Sequence, residues 1–130
     1  MDANQYVKQA TRTESQNFDE IGSQLYEKRN IRLLHAAMGL ETEVGEFMDP
    51  LKKHIFYGKE IDTVNLAEEL GDMFWYIAIA CDELGVKPLE LMEKNIAKLK
   101  ARFPDKFSSK DAIERDTSKE RKILEQQSFL

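Results

Sequence analysis

Two pairs of acidic residues, each spaced i, i+3, carry the first chemical signal in this chain of 130 residues. Glu43-Val-Gly-Glu46 is followed, after 22 intervening residues, by Glu69-Leu-Gly-Asp72. On a helix, each pair sets two carboxylates on neighbouring turns of one face. Two such helices lying antiparallel can converge four carboxylates on a hard divalent cation. Mg²⁺ prefers oxygen ligands, keeps several waters and commonly bridges to substrate phosphates. A cation so placed screens phosphate charge and orients a leaving group. Phosphoryl transfer asks for little beyond placement and positive charge at the phosphate oxygens. One acidic pair alone is the ordinary pattern of a solvated helix face. The second pair here runs directly into Met73-Phe-Trp-Tyr-Ile-Ala-Ile-Ala-Cys81, whose only polar group is the Tyr76 hydroxyl. A helix apolar on all sides is a buried helix, and charges joined to one need partners or a metal.

Complementary charge lies further along. Asn95, Lys98 and Arg102 are spaced i, i+3, i+7 and share a helix face, where an amide and two cations can hold phosphates or a base; the alternative is an ordinary solvated face. Lys52-Lys53 is either a phosphate clamp or a surface pair. Tyr76 lies one turn beyond Asp72 and offers an aromatic neighbour to a base, although Trp75 and Tyr76 also suit a core. His35 and His54 lack Cys partners and metal-binding spacing, so both read as structural histidines. No GxxxxGK[ST], GxGxxG or GxSxG segment occurs, which sets aside phosphate-loop, dinucleotide and serine-hydrolase chemistry. Neither histidine has a Glu three residues before it, so the di-iron arrangement is excluded. Zinc lacks ligands, and Cys81 in an apolar run is poorly placed as a thiolate.

Helices must position these residues. With six glycines and three prolines and no lasting alternation, the pattern is all-α. A short N-terminal helix is expected, with a break near Thr13 and a second helix to about Asn30. The next spans Ile31 to about Asp49, capped by Asn30, with Pro50 marking an end or kink. A link over 50–63 leads to a helix over 63–84 that stops at Gly85. Pro88 opens a helix to Arg102, with Leu89, Met92, Ile96 and Leu99 facing inward. Residues 1–107 read as one domain. Residues 108–130 read as a charged helical appendage, weakly docked through Ala112, Ile113, Ile123 and Leu124, with a frayed end. A net charge of −5 gives no electrostatic reason to bind nucleic acid or an acidic membrane surface. The longest apolar run has nine residues, against about 20 needed to span a bilayer. One cysteine and an N-terminus without signal-peptide features fit a cytoplasmic protein.

The order helix, ExxE, gap, ExxD, helix resembles the all-α nucleoside triphosphate pyrophosphohydrolases of the MazG-like superfamily. The resemblance covers about residues 30–107. It includes Leu33-Leu-His-Ala-Ala-Met-Gly-Leu40, Tyr57-Gly58, Glu68-Glu-Leu-Gly-Asp-Met-Phe-Trp-Tyr76 and Asn95-Ile-Ala-Lys-Leu-Lys-Ala-Arg-Phe-Pro104. These segments look like the short, single-domain phage and bacterial members. The resemblance implies a four- to five-helix bundle assembled as a homodimer or a homotetramer built as a dimer of dimers. It implies Glu43, Glu46, Glu69 and Asp72 as Mg²⁺ ligands, with Mn²⁺ as a possible substitute. Asn95 and Lys98 would contact the substrate, Tyr76 would line its pocket, and Lys53 is a further contact. The implied reaction is hydrolysis of a nucleoside or deoxynucleoside triphosphate to monophosphate and pyrophosphate, as nucleotide-pool housecleaning. One departure stands out, because Thr42 occupies the first acidic position of the family's EExxE. A catalytically inactive interaction module and a nucleotide-binding sensor on the same fold remain open as alternatives.

Overall fold

The computed structural model describes residues 1–126. Among them the chain forms helices α1 (Ala3–Thr11), α2 (Phe18–Tyr26), α3 (Lys28–Tyr57), α4 (Thr63–Leu84), α5 (Pro88–Arg102), α6 (Ser109–Ile113) and α7 (Thr117–Glu125). The all-α class expected from the sequence is the class observed. No helix among the described residues is long and apolar enough to cross a membrane.

Helix α3 runs straight through the position where the sequence suggests a stop. Pro50 removes one backbone donor, yet the helix continues for two further turns to Tyr57. It ends only at Gly58, in the left-handed region at φ 66°. There the N–H groups of Gly58 and Lys59 both bond the carbonyl of Lys53, which satisfies the terminal acceptor. The expected link over 50–63 therefore shrinks to 58–62. His54 helps to hold this turn, its Nδ1 lying 2.8 Å from the Lys59 carbonyl; the carbonyl can only accept, so Nδ1 carries the hydrogen. At the other end, Asn30 lies inside α3 and does not cap it. Its amide donates instead to the Gln24 carbonyl at 2.8 Å, tying α3 to the end of α2. Helix α4 starts where Asp62 accepts from the N–H groups of Val64 and Asn65, and stops at Gly85 with φ 65°.

Helices α3 and α4 pack along their length as an antiparallel hairpin. Arg32 near the start of α3 bonds Asp82 and Glu83 near the end of α4, while Glu43 meets Glu69 and Asp72. Small side chains permit this approach. Ala36 is 1% exposed, and Gly39 lies directly against the Tyr76 ring. Helix α2 lies on α3, and α5 packs on α7. Helix α1 is exposed along its whole length.

The apolar run after Asp72 is covered at Cys81 but not throughout. Phe74 is 59% and Trp75 56% exposed, and Leu89, Met92 and Ile96 of α5 are exposed as well, contrary to the expected inward face. The single chain exposes 10935 Å². A folded monomer of 15.1 kDa exposes about 7,100 Å².

Candidate active site

The hairpin brings three of the four predicted acids together. One oxygen each from Glu43 on α3 and Glu69 and Asp72 on α4 lie within 4.8 Å of one another. Glu69 is the buried member, at 6% exposure; Glu43 is half-buried and Asp72 exposed. Asn65, one turn before Glu69, donates from Nδ2 to Glu69 Oε1 at 2.7 Å. Asn65 thus fixes the buried carboxylate and satisfies one of its oxygens.

Such crowding leaves an electrostatic trace. Partial burial first, then the charges of Glu46 and Asp72 and a hydrogen bond with Glu69, push the Glu43 carboxyl above its ordinary range. Like charges at this separation are eased by a shared proton or by a cation. The donor set is all carboxylate oxygen, carried on two rigid helices with one donor pre-oriented. That chemistry fits a hard cation of the Mg²⁺ or Mn²⁺ kind and offers nothing to a thiophilic one.

Glu46 stands apart from the trio. It is exposed and lines an adjoining cleft of about 650 Å³ between α3, the 58–62 turn and the start of α4. Thr42, Asp49, Lys53, Lys59 and Glu69 also line this cleft, so Glu69 belongs to both the acid cluster and the cleft. Lys53 is therefore placed beside the acids, paired with Asp49 one turn earlier. That pairing, with a contribution from Lys52, holds the Asp49 carboxyl below its usual range. Thr42 donates its hydroxyl hydrogen to the Gly39 carbonyl at 2.8 Å.

The remaining predicted residues lie elsewhere in the single chain. Tyr76 packs between the two helices, against Gly39 and edge-on to Trp75 and His35, and is absent from the cleft lining. Asn95 and Lys98 sit on α5, which packs on α7, and neither lines the cleft. Asn65 and Lys59 were not distinguishable as site residues by sequence alone. The signal for Asn65 is its i−4 spacing from Glu69; Lys59 offers none before the turn is known.

An acid-bearing helical hairpin with a polar cleft at its side defines an all-α protein with a three-carboxylate cluster. Comparison with protein families identifies which one: residues 32–107 match the MazG nucleotide pyrophosphohydrolase domain. The match spans more than half of the chain, and the chain belongs to that family. No curated protein and no solved structure matched it.

Proposed function

We propose that the protein is a Mg²⁺-dependent pyrophosphohydrolase that cleaves a nucleoside or deoxynucleoside triphosphate to its monophosphate and pyrophosphate. The observation that carries this reading is the convergence of Glu43, Glu69 and Asp72 within 4.8 Å, in a chain of the nucleotide pyrophosphohydrolase family. Water adds across the anhydride between the α- and β-phosphates, so the balance needs no other reactant. A bound divalent cation would supply charge neutralisation at the phosphates and acidify a water. Glu43, Glu69 and Asp72 would hold it, with Glu46 at the rim of the cleft. Asn65 keeps Glu69 oriented, and Lys53 and Lys59 give the cleft cations for a polyphosphate chain.

The substrate-contacting helix is α5, through Asn95 and Lys98. Because α5 does not close over the acids of its own chain, we assign the site to an oligomer in which a second copy supplies that face. The surface supports this. One chain exposes 10935 Å², about 3,800 Å² beyond a folded monomer of its mass. Obligate interfaces bury about 2,000–5,000 Å² or more in total over both partners, and two chains carry about twice the single-chain excess, enough for a dimer or a dimer of dimers.

The test is pyrophosphate release from a panel of canonical and modified nucleoside triphosphates, with and without Mg²⁺. Magnesium-dependent release is expected, and it should vanish in Glu69→Ala and Asp72→Ala while the oligomer persists. A correctly assembled protein that releases pyrophosphate from none of them would refute the assignment.

A further inference from the structure

Helix α1 and the groove beside α2 are both uncovered in the single chain, and each has what the other lacks. Ala3, Tyr6, Val7 and Ala10 form one apolar stripe of α1 at helical spacing. Lys8, the only charged residue of that helix, lies on its opposite side. Tyr6 and Val7 are 61% and 58% exposed. A helix of nine residues is marginal in water on its own, because most helical stability in a protein comes from packing such a face. The capping box between Asp2 and Gln5 satisfies terminal N–H groups but gives the stripe nothing to pack on.

The groove runs between α2 and the first turns of α3 and has a volume of about 700 Å³. Ile21 and Leu25 line it from α2, Leu33 and Leu34 from α3, and all but Leu33 are exposed. Glu20 is its only charged lining residue among the described ones, and the Asn17 amide bonds it. Gln24 offers Nε2 hydrogens that have no partner among the described residues, and a tyrosine hydroxyl entering a groove needs such a partner. Helices α1 and α2 have nine residues each, so arm and groove match in length at about 13 Å. The chain's own α1 does not fill the groove. The N–H and hydroxyl of Thr13 both bond the Ala10 carbonyl, and the Glu14 N–H bonds that of Thr11, a turn that holds the arm clear.

We propose that α1 of each copy docks in the α2–α3 groove of a second copy, so that two chains exchange N-terminal arms. Two apolar faces left open by one chain, on either side of a short turn, are what an exchange of identical elements fills. Docked, the arm sets Tyr6 and Val7 on the apolar lining while Lys8 stays in water, so no lysine is buried. The surface of about 3,800 Å² that each chain carries beyond a folded monomer leaves ample area for this contact. Leu34 lies nine residues before Glu43 on α3, about 13 Å along the helix. The contact is therefore distinct from the α5 face assigned to the site and does not rest on the hydrolase reading.

The experiment follows hydrogen exchange of the α1 amides in the full chain, beside disulfide trapping between copies. In the assembled parent, α1 should exchange at least about tenfold more slowly than an unpacked peptide of its sequence. Leu25→Asp, in the groove and outside α1, should return those amides to the peptide rate while the α3–α4 hairpin keeps its protection. Trapping shows whose groove is used. A Val7→Cys chain mixed with a tagged Leu25→Cys or Ile21→Cys chain should form a mixed disulfide under mild oxidation. The parent, whose one cysteine is buried, should form none. An unprotected α1 in the assembled parent, or protection that survives Leu25→Asp, would overturn the proposal and leave the groove to another occupant. No mixed disulfide at either groove position overturns it too, as does a chain with both Val7→Cys and Leu25→Cys that closes only within itself. Should Leu25→Asp not fold, Val7→Lys changes an exposed position and raises helix propensity. Loss of α1 protection in that variant is then loss of docking, and retained protection overturns the proposal. Neither readout contains a nucleotide. Exchanged arms without pyrophosphate release would remove only the hydrolase reading, and release from a protein with undocked arms would remove only this one.

Discussion

Asn65 offers the sharpest test of the acid cluster, because it can be removed without touching any of the three acids. Its Nδ2 donates to Glu69 Oε1 at 2.7 Å, and Glu69 is the buried member of the trio. A hydrogen bond to a charged group contributes about 1.5–3 kcal/mol. Asn65→Ala forfeits it in two ways: the carboxylate is freed to rotate, and its ionised form loses a donor beside the charges of Glu43 and Asp72. A cation must then order what was already in place. At about 1.4 kcal/mol per tenfold, metal affinity should fall by roughly 10- to 100-fold, the range found when groups that orient metal ligands are removed. Calorimetric titration with Mn²⁺ or Mg²⁺ reads this directly. Melting offers a second measure. At a fixed saturating concentration, a tenfold weaker site gives about 1.4 kcal/mol less stabilisation, or about 3–8 °C less metal-linked rise in Tm for a chain of this size. Without metal, the variant should itself melt lower, since a buried carboxylate has lost its donor, so the quantity compared is the metal-linked rise and not Tm itself. Unchanged metal affinity in a folded Asn65→Ala protein would refute the view that Glu69 is a ligand held in place by its neighbour.

Three further outcomes follow from other parts of the structure. The Glu43 carboxyl is pushed up by burial and neighbouring acids, so its charged form costs the metal-free fold stability as pH rises through its folded pKa. A divalent cation removes that cost, and the metal-linked rise in Tm should be larger at pH 7.5 than at pH 5. For Glu120 the sign is opposite, since its folded value of about 2 lies below the ordinary 4.5. Its contribution is full above the ordinary value and is lost as pH falls towards 2; Glu120→Gln should flatten that part of the acid-denaturation curve. A Cβ on Gly39 would fall inside the Tyr76 ring, whereas one on Gly45 meets nothing within 4 Å. Gly39→Ala should therefore lose stability through an overpacking cost of about 1–3 kcal/mol or more. Gly45→Ala should gain up to about 1 kcal/mol from helix propensity, both read by chemical denaturation.

Much of the hairpin was legible because local rules carry it. Gly85 marks the stop of α4 through a backbone requirement that involves no distant residue. Pro50 misleads because a proline ends a helix only when nothing else holds the next turns. Here the cap at Gly58 and the pairs from Asp49 to Lys52 and Lys53 support them. The acid spacing revealed a shared face, but not that Glu46 would diverge from Glu43, Glu69 and Asp72, which depends on how the helices meet. Docking of the C-terminal segment was legible only in part. Ala112 and Ile123 are half-buried, as their apolar character suggests, but Ile113 is 82% exposed and the buried group is Glu120. A buried carboxylate needs partners, and Arg102, which meets Glu120, lies 18 residues away in sequence. The expected frayed end falls at 127–130, outside the described residues.

Packing and chemistry in the hairpin are a single feature. Ala36, Gly39 and Glu43 occupy i, i+3 and i+7 of α3, while Glu69, Asp72 and Tyr76 occupy i, i+3 and i+7 of α4. The two smallest buried side chains of α3 thus stand on the same stripe as its converging acid. They let α4 approach until the Tyr76 ring rests on the Gly39 backbone, and that approach allows Glu43 to reach Glu69 and Asp72. A larger residue at 39 would move the helices apart and widen the acid trio, weakening a cation site that it never touches. Closeness has a cost: burial first, and then the neighbouring carboxylates, raise Glu43, and a divalent cation at the proposed site would relieve it. The small residues therefore serve the geometry of the acid cluster as much as the fold.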